Sequence, residues 1–193
     1  MKTFGLTGGI GMGKSTAAQI LRDRRVAVVD TDGLARQLVE PGEPALAEIL
    51  QAFGGGLCTA GGGLNREALA GIVFSDPTAR ARLEAILHPR ITALWQFQLQ
   101  SWQHEGRGVA VVVIPLLFET QAEAAFDSVV CVACSEATQH QRLRARGWAP
   151  EQIRQRLAAQ SAVAEKILRS QYVVWTEGAV GTTERQLARI IPS

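Results

Sequence analysis

The chain has no long hydrophobic run. Its longest apolar stretch, residues 109–118, is ten residues with Pro115 inside. A membrane-spanning helix needs roughly 20. The N-terminus lacks the unbroken apolar segment of a secretory signal, because glycines interrupt it. No membrane association is therefore expected, and a cytoplasmic location is the default. Cysteine is scarce too. Cys58, Cys131 and Cys134 are an odd number, which excludes a complete disulfide framework. Cys131 and Cys134 form a C-x-x-C, but no second such pair or paired histidine completes a zinc site. The choice left is a redox pair or two thiols packed at the end of a buried strand. Excess charge is also missing. The net charge of +2 does not imply a broad nucleic-acid footprint.

What is present is an ordinary globular composition, 47% hydrophobic and 20% charged, in 193 residues. That length carries one sizeable core, with or without smaller insertions. Five β-rich runs recur, at residues 3–6, 26–29, 109–114, 129–133 and 172–175. Most are continuously apolar rather than alternating, as in strands buried on both faces. Helical spacing lies between them. Leu46, Ile49, Leu50 and Phe53 share one face, and Ile91, Leu94, Trp95, Leu99 and Trp102 continue the pattern over a longer span. Strands alternating with helices predict an α/β parallel sheet covered on both faces.

Two stretches break the alternation. Residues 53–64 hold six glycines and read as a mobile loop or two tight turns. From there to Gln103 the chain is too long for one crossover, so residues 53–103 read as an inserted helical subdomain. Residues 136–169 carry seven basic side chains against three acidic ones. They read as two helices joined at 147–149, with Pro150 in the first turn of the second.

Gly8-x-x-x-x-Gly13-Lys14-Ser15 is a complete phosphate-binding (Walker A) pattern, placed after a strand and before a helix. Glycines allow positive φ and let backbone N–H groups approach phosphate oxygens. The helix N-terminus adds partial positive charge there. Lys14 is suited to the β- and γ-phosphates, and the Ser15 hydroxyl to Mg²⁺. Chance would produce the pattern in roughly one chain of this length in a hundred. The second strand runs into "VVDTDGLAR", which puts Asp30 and Asp32 at a carboxyl edge where α/β sheets bind ligands. One carboxylate there can accept a proton from an attacking hydroxyl and the other support Mg²⁺; alternatively one merely caps the next helix. The chain lacks the guanine-reading N-K-x-D of GTPases. Its strand "VAVVVI" ends in "PLLFE" instead of the paired acids of motor ATPases. A small-molecule kinase is left.

"GLTGGIGMGKS", "VDTDGLAR", His88-Pro89, "PLLFE" at 115–119, "TQHQRLRAR" at 138–146 and "RLAAQ" at 156–160 stand in the order and spacing of dephospho-coenzyme A kinases. The chain resembles that family over nearly its whole length. The resemblance implies a P-loop NTPase fold of the nucleoside monophosphate kinase type, with a five-stranded parallel sheet flanked by helices. It divides the single kinase domain into a core (1–52, 104–135 and 170–193), a helical CoA-binding subdomain (53–103) and a lid (136–169). The implied reaction moves the γ-phosphoryl of ATP to the ribose 3′-hydroxyl of dephospho-CoA, with Mg²⁺. No nucleic-acid or membrane partner is implied.

The resemblance also suggests roles. Gly9, Ile10, Gly11, Met12, Gly13, Lys14, Ser15 and Thr16 would hold ATP, with Ser15 and Asp30 on Mg²⁺. Asp32 would be the general base, and Lys14 and Arg142 would stabilise the transferring phosphoryl. Arg146 and Arg156 would contact phosphates. Arg66, His88, Leu117 and Glu119 would meet the acceptor. Arginine suits a site that brings two polyanions together, because its fork bonds phosphate bidentately. His88 precedes a proline that reads as a helix start, which gives it a purely local alternative. The sequence departs from the family in Met12, where serine is usual, and in Thr176, where asparagine is usual. The alternatives are a shikimate- or nucleotide-type kinase, which does not predict His88-Pro89 or "PLLFE", and a non-catalytic ATP-binding module, which needs no base.

Overall fold

The computed structural model describes residues 1–192. In chain order the elements are β1 (Lys2–Thr7), α1 (Lys14–Asp23), β2 (Ala27–Asp30), α2 (Thr31–Gln37), α3 (Pro44–Phe53), α4 (Arg66–Ser75) and α5 (Pro77–His104). There follow β3 (Val109–Val113), β4 (Ser128–Ala133), α6 (Glu136–Ala145), α7 (Pro150–Ala158), α8 (Val163–Arg169), β5 (Tyr172–Trp175) and α9 (Val180–Ile190). All strand pairs are parallel, in the order β2-β3-β1-β4-β5. Of the three inner strands β3 and β4 are the nearly continuous apolar ones, buried on both faces, and β1 is buried from Phe4 to Thr7. β1 lies at the centre. The chain leaves it for one flank and later crosses to the other, so its carboxyl end sits where the strand order reverses.

The chain divides into two compact units, Met1–Asp30 with everything from Leu99 onward, and Thr31–Gln98. The first is built on Phe4, Leu6, Leu21, Val111, Val130 and Leu187. The second has its own core of Val39, Ala45, Ile49, Leu69, Val73 and Ile86. The helical unit thus begins at 31 instead of 53 and ends at 98 instead of 103. The reason is visible in its core, where Val39 and α3 pack with α4 and α5.

Local signals explain most element ends. Pro44 opens α3, Asn65 Oδ1 accepts the Ala68 N–H at the start of α4, and Ser135 Oγ accepts the Thr138 N–H at the start of α6. Gly147, with φ of 81°, separates α6 from α7, which starts at Pro150. Residues 53–64 form two tight turns. A 3₁₀ turn spans Gly55–Leu57, and Thr59 closes a second turn by donating its N–H to Gly63 O at 2.8 Å.

One helix start is corrected. Pro89 lies inside the 28-residue α5, which opens at Pro77, where Asp76 Oδ1 accepts the Thr78 N–H. Pro89 has no N–H to give to the carbonyl four residues back. The Arg90 guanidinium donates to the neighbouring Ile86 carbonyl at 2.5 Å and pairs with Glu48.

Candidate active site

The loop between β1 and α1 is a backbone cradle. Gly8, Gly11 and Gly13 have φ of 145°, 78° and 93°. A Cβ at Gly8 would lie 2.3 Å from the Val132 carbonyl oxygen, and one at Gly13 would lie 3.2 Å from the Thr176 side chain. Both positions therefore need glycine for φ and for space. Lys14 folds back over the loop and donates from Nζ to Gly8 O at 2.7 Å and Gly9 O at 3.0 Å. Ser15 and Thr16 stand exposed in the first turn of α1. Met12 contributes only backbone, because its side chain is buried with Ala133 and Cys134. The serine usual in the family would leave that packing unmade.

Side chains from beyond β4 grip this loop. Thr176, just past β5, is buried and gives its hydroxyl proton to Met12 O at 2.9 Å, with Ala133 O at 3.2 Å. The same oxygen accepts from Arg142 Nη1 at 3.0 Å, and Arg142 Nη2 donates to the Thr176 carbonyl at 2.6 Å. Arg142 and Arg146 line a cavity of about 280 Å³ with Gly13, Thr16, Gly178 and Val180. That is slightly below the ~300–1,000 Å³ usual for small-molecule sites. It suits one flat ring system better than a whole nucleoside triphosphate. Arg142 thus stands at the flank of the loop that Thr16 occupies, with its guanidinium pinned to Thr176.

The segment 115–119 follows β3. Glu119 Oε1 accepts the Ser161 N–H at 2.8 Å, and the carboxylate pairs with Lys166 Nζ, which also donates to Pro115 O at 2.9 Å. Lys166 is fully buried. Burial alone would push the Glu119 carboxyl up; the Lys166 ammonium and the Ser161 N–H outweigh it and hold it below its ordinary range. Leu117 is fully buried against Gly5. Its side chain belongs to the core and presents nothing to an acceptor.

Asp30 ends β2, and Asp32 is exposed in the first turn of α2, the first helix of the second unit. In that unit Arg66 donates to Arg36 O and pairs with Glu40. His88 lies within α5 directly before Pro89. Arg156 stacks on Trp148 at 4.3 Å from the ring centroid. Cys131 and Cys134 are free and buried, and burial pushes the Cys131 thiol up to about 11. Thiolate chemistry is disfavoured there, which supports the packing alternative.

The family profile for dephospho-CoA kinase matches residues 2–181. The chain belongs to the dephospho-CoA kinase family. Among curated members, that of Anaeromyxobacter dehalogenans is 45% identical over 193 residues, covering 97% of this chain and 92% of its own. The crystal structure of TT1252 from Thermus thermophilus superposes with a TM-score of 0.82 at 33% identity, covering 98% and 95%. The dephospho-CoA kinase of Campylobacter jejuni shares the fold at a TM-score of 0.65 and 21% identity, with 98% and 95% covered. The fold is that of the P-loop NTPases.

Four participants had no role assigned from sequence. Gln139 and Gln160 bond the phosphate loop, Lys166 holds Glu119, and Glu177 accepts from Ser135 and Thr138.

Proposed function

We infer that the chain phosphorylates dephospho-CoA at the expense of ATP, at the ribose 3′-hydroxyl, as the last step of CoA formation. The observation that carries this reading is the glycine cradle at the end of β1, with Lys14 lying over it, in a chain matched by the family profile along residues 2–181. ATP is the donor. Its phosphates take the Lys14 ammonium and backbone N–H groups of the loop other than those of Ile10 and Met12, which bond Gln160 and Gly9. The exposed Ser15 hydroxyl, at the positive end of α1, fits a Mg²⁺ bound through one or two protein oxygens plus phosphate oxygens, with Asp30 as the supporting carboxylate. When bound, Mg²⁺ neutralises charge on the β- and γ-phosphates.

The cavity beside Arg142 and Arg146 takes the nucleobase end of ATP, and Arg146, exposed at its rim, reaches the phosphates. Arg142 serves orientation of the donor more than charge on the transferring phosphoryl, because its two shorter bonds run to Thr176 and a third, at 3.5 Å, to Gly11 O. Asp32 takes the proton of the acceptor hydroxyl. The unit Thr31–Gln98, including Arg66 and His88, holds the CoA portion, and α6–α8 act as the lid. Glu119 and Arg156 belong to the acceptor side.

The test is ADP release from Mg-ATP with dephospho-CoA, shikimate and AMP offered separately, with the product identified. CoA should form with the first alone; turnover of shikimate or AMP without dephospho-CoA would refute the assignment. Asp32→Asn should lower kcat by about 10²- to 10⁴-fold and leave ATP affinity within about threefold. A variant with near-normal kcat would remove Asp32 from the mechanism.

A further inference from the structure

Ile10, in the middle of the phosphate loop, has both polar atoms of its backbone held by glutamine side chains. Gln139 of α6, buried, donates from Nε2 to Ile10 O at 2.7 Å. Gln160, in the joint between α7 and α8, accepts the Ile10 N–H on Oε1 at 3.0 Å. The partners fix both amide orientations, since an N–H can only donate and a carbonyl only accept. The chain of bonds continues through the joint. Ser161, the next residue, donates its N–H to Glu119, and Glu119 is held by Lys166, which also bonds Pro115 O. Two hydrogen bonds joined by the covalent step from Gln160 to Ser161 thus connect the Ile10 peptide to the segment 115–119.

A joint between two helices needs no bond to the phosphate loop for its own sake. Exposed polar residues there would be satisfied by water. We propose that Gln160 is a positioning residue for phosphoryl transfer: it sets the Ile10 peptide against the α7–α8 joint, and so ties the donor loop to the segment 115–119. Phosphoryl transfer depends almost wholly on placement and electrostatics. A shift of about 1 Å from a mutation away from the chemistry costs on the order of a hundredfold. The proposal rests on the reading of the site as a phosphoryl-transfer centre.

The experiment is steady-state kinetics with Mg-ATP and dephospho-CoA, on the wild type, Gln160→Ala, Gln160→Glu, Gln139→Ala and the double variant Gln139→Ala/Gln160→Ala. Gln160→Ala should lose roughly 10- to 100-fold in kcat with KM for ATP within about threefold. Gln160→Glu keeps an acceptor for the Ile10 N–H and should recover most of that kcat, with a raised KM for ATP from its charge. The two glutamines grip one peptide, so the double variant should fall no more than about threefold below the worse single one. If Gln160→Ala does not fold, Gln160→Asn, too short to reach Ile10, takes its place. A kcat within twofold of wild type, a loss confined to KM, or multiplicative losses in the double variant would overturn the proposal. If the wild type makes no CoA, the fault lies in the functional reading; normal wild type with normal Gln160→Ala sinks this inference alone.

Discussion

The Thr176 hydroxyl sits between the phosphate loop and the arginine beside it. It donates to the Met12 carbonyl and accepts from Arg142, and its methyl lies where a Cβ on Gly13 would collide. Thr176→Val keeps the shape and removes both of these bonds and the longer contact to Ala133 O. A buried carbonyl and one guanidinium donor then lose their partner, which costs about 1–3 kcal/mol. Arg142 keeps its bond to the Thr176 carbonyl but loses the one that fixes its plane. Denaturant unfolding should therefore show the stability loss, and kinetics should show KM for ATP rising more than kcat falls. Unchanged stability and KM would mean that the hydroxyl is idle. This role was not legible in "YVVWTEG". The departure from asparagine was visible, but the partner lies 164 residues away and depends on the β4–β5 register. The phosphate loop, by contrast, was readable because all its requirements are local: positive φ, no Cβ, and a helix beginning at once.

The start of α6 shows how one element is held by another. Ser135 caps the helix, and Glu177, after β5, accepts from the Ser135 N–H, the Ser135 hydroxyl and the Thr138 hydroxyl. These bonds favour the carboxylate and hold Glu177 at about 2, against an ordinary 4.5. A carboxyl lowered by folding adds stability that is present above its ordinary value and is lost as pH falls through the folded one. Glu177→Gln should thus melt below the wild type at pH 7, and the gap should narrow as pH drops from 4.5 toward about 2. Melting curves across that range check it; a gap independent of pH would assign the effect to shape instead of charge. α6 carries Gln139 and Arg142 and ends at Arg146, so its seating also seats those side chains. Element by element, the strands and the capped or proline-started helices were legible because their signals are local. α5 was misread because Pro89 looks like a beginning, and only Arg90 and the flanking apolar residues show that the helix runs through it. Lys166 was hidden for a different reason. A lysine reads as surface, and its burial depends on Glu119 and Pro115 arriving from β3.

At the scale of the whole chain there are two cores, not one. The sheet unit packs Phe4, Leu6, Val111 and Val130, and the helical unit packs Ile49, Leu69, Val73 and Ile86 around its own centre. The apolar spacing of α3 was legible in the sequence, but its membership in the second core was not, because the break falls after β2 without a composition shift. The proposed donor machinery, from Gly8 to Thr16 with Gln139, Arg142, Gln160 and Thr176, lies entirely within the first unit. Separate cores open separately when each holds enough buried surface to unfold as a unit. Ile49 is fully buried in the second core, and truncating a buried isoleucine to alanine costs about 2–5 kcal/mol. Ile49→Ala should therefore speed hydrogen exchange at the amides of α3–α5 up to Gln98 by roughly 30- to 4,000-fold, since each ~1.4 kcal/mol is a factor of ten. The amides of β1, β3 and β4 should keep their protection, and ATP affinity should stay within about twofold, while turnover with dephospho-CoA falls because the destabilised unit is the one proposed to hold the CoA portion. Equal loss of protection in β1, β3 and β4 would mean that both cores unfold together, and a matching drop in ATP affinity would mean that the donor loop draws its shape from the helical unit.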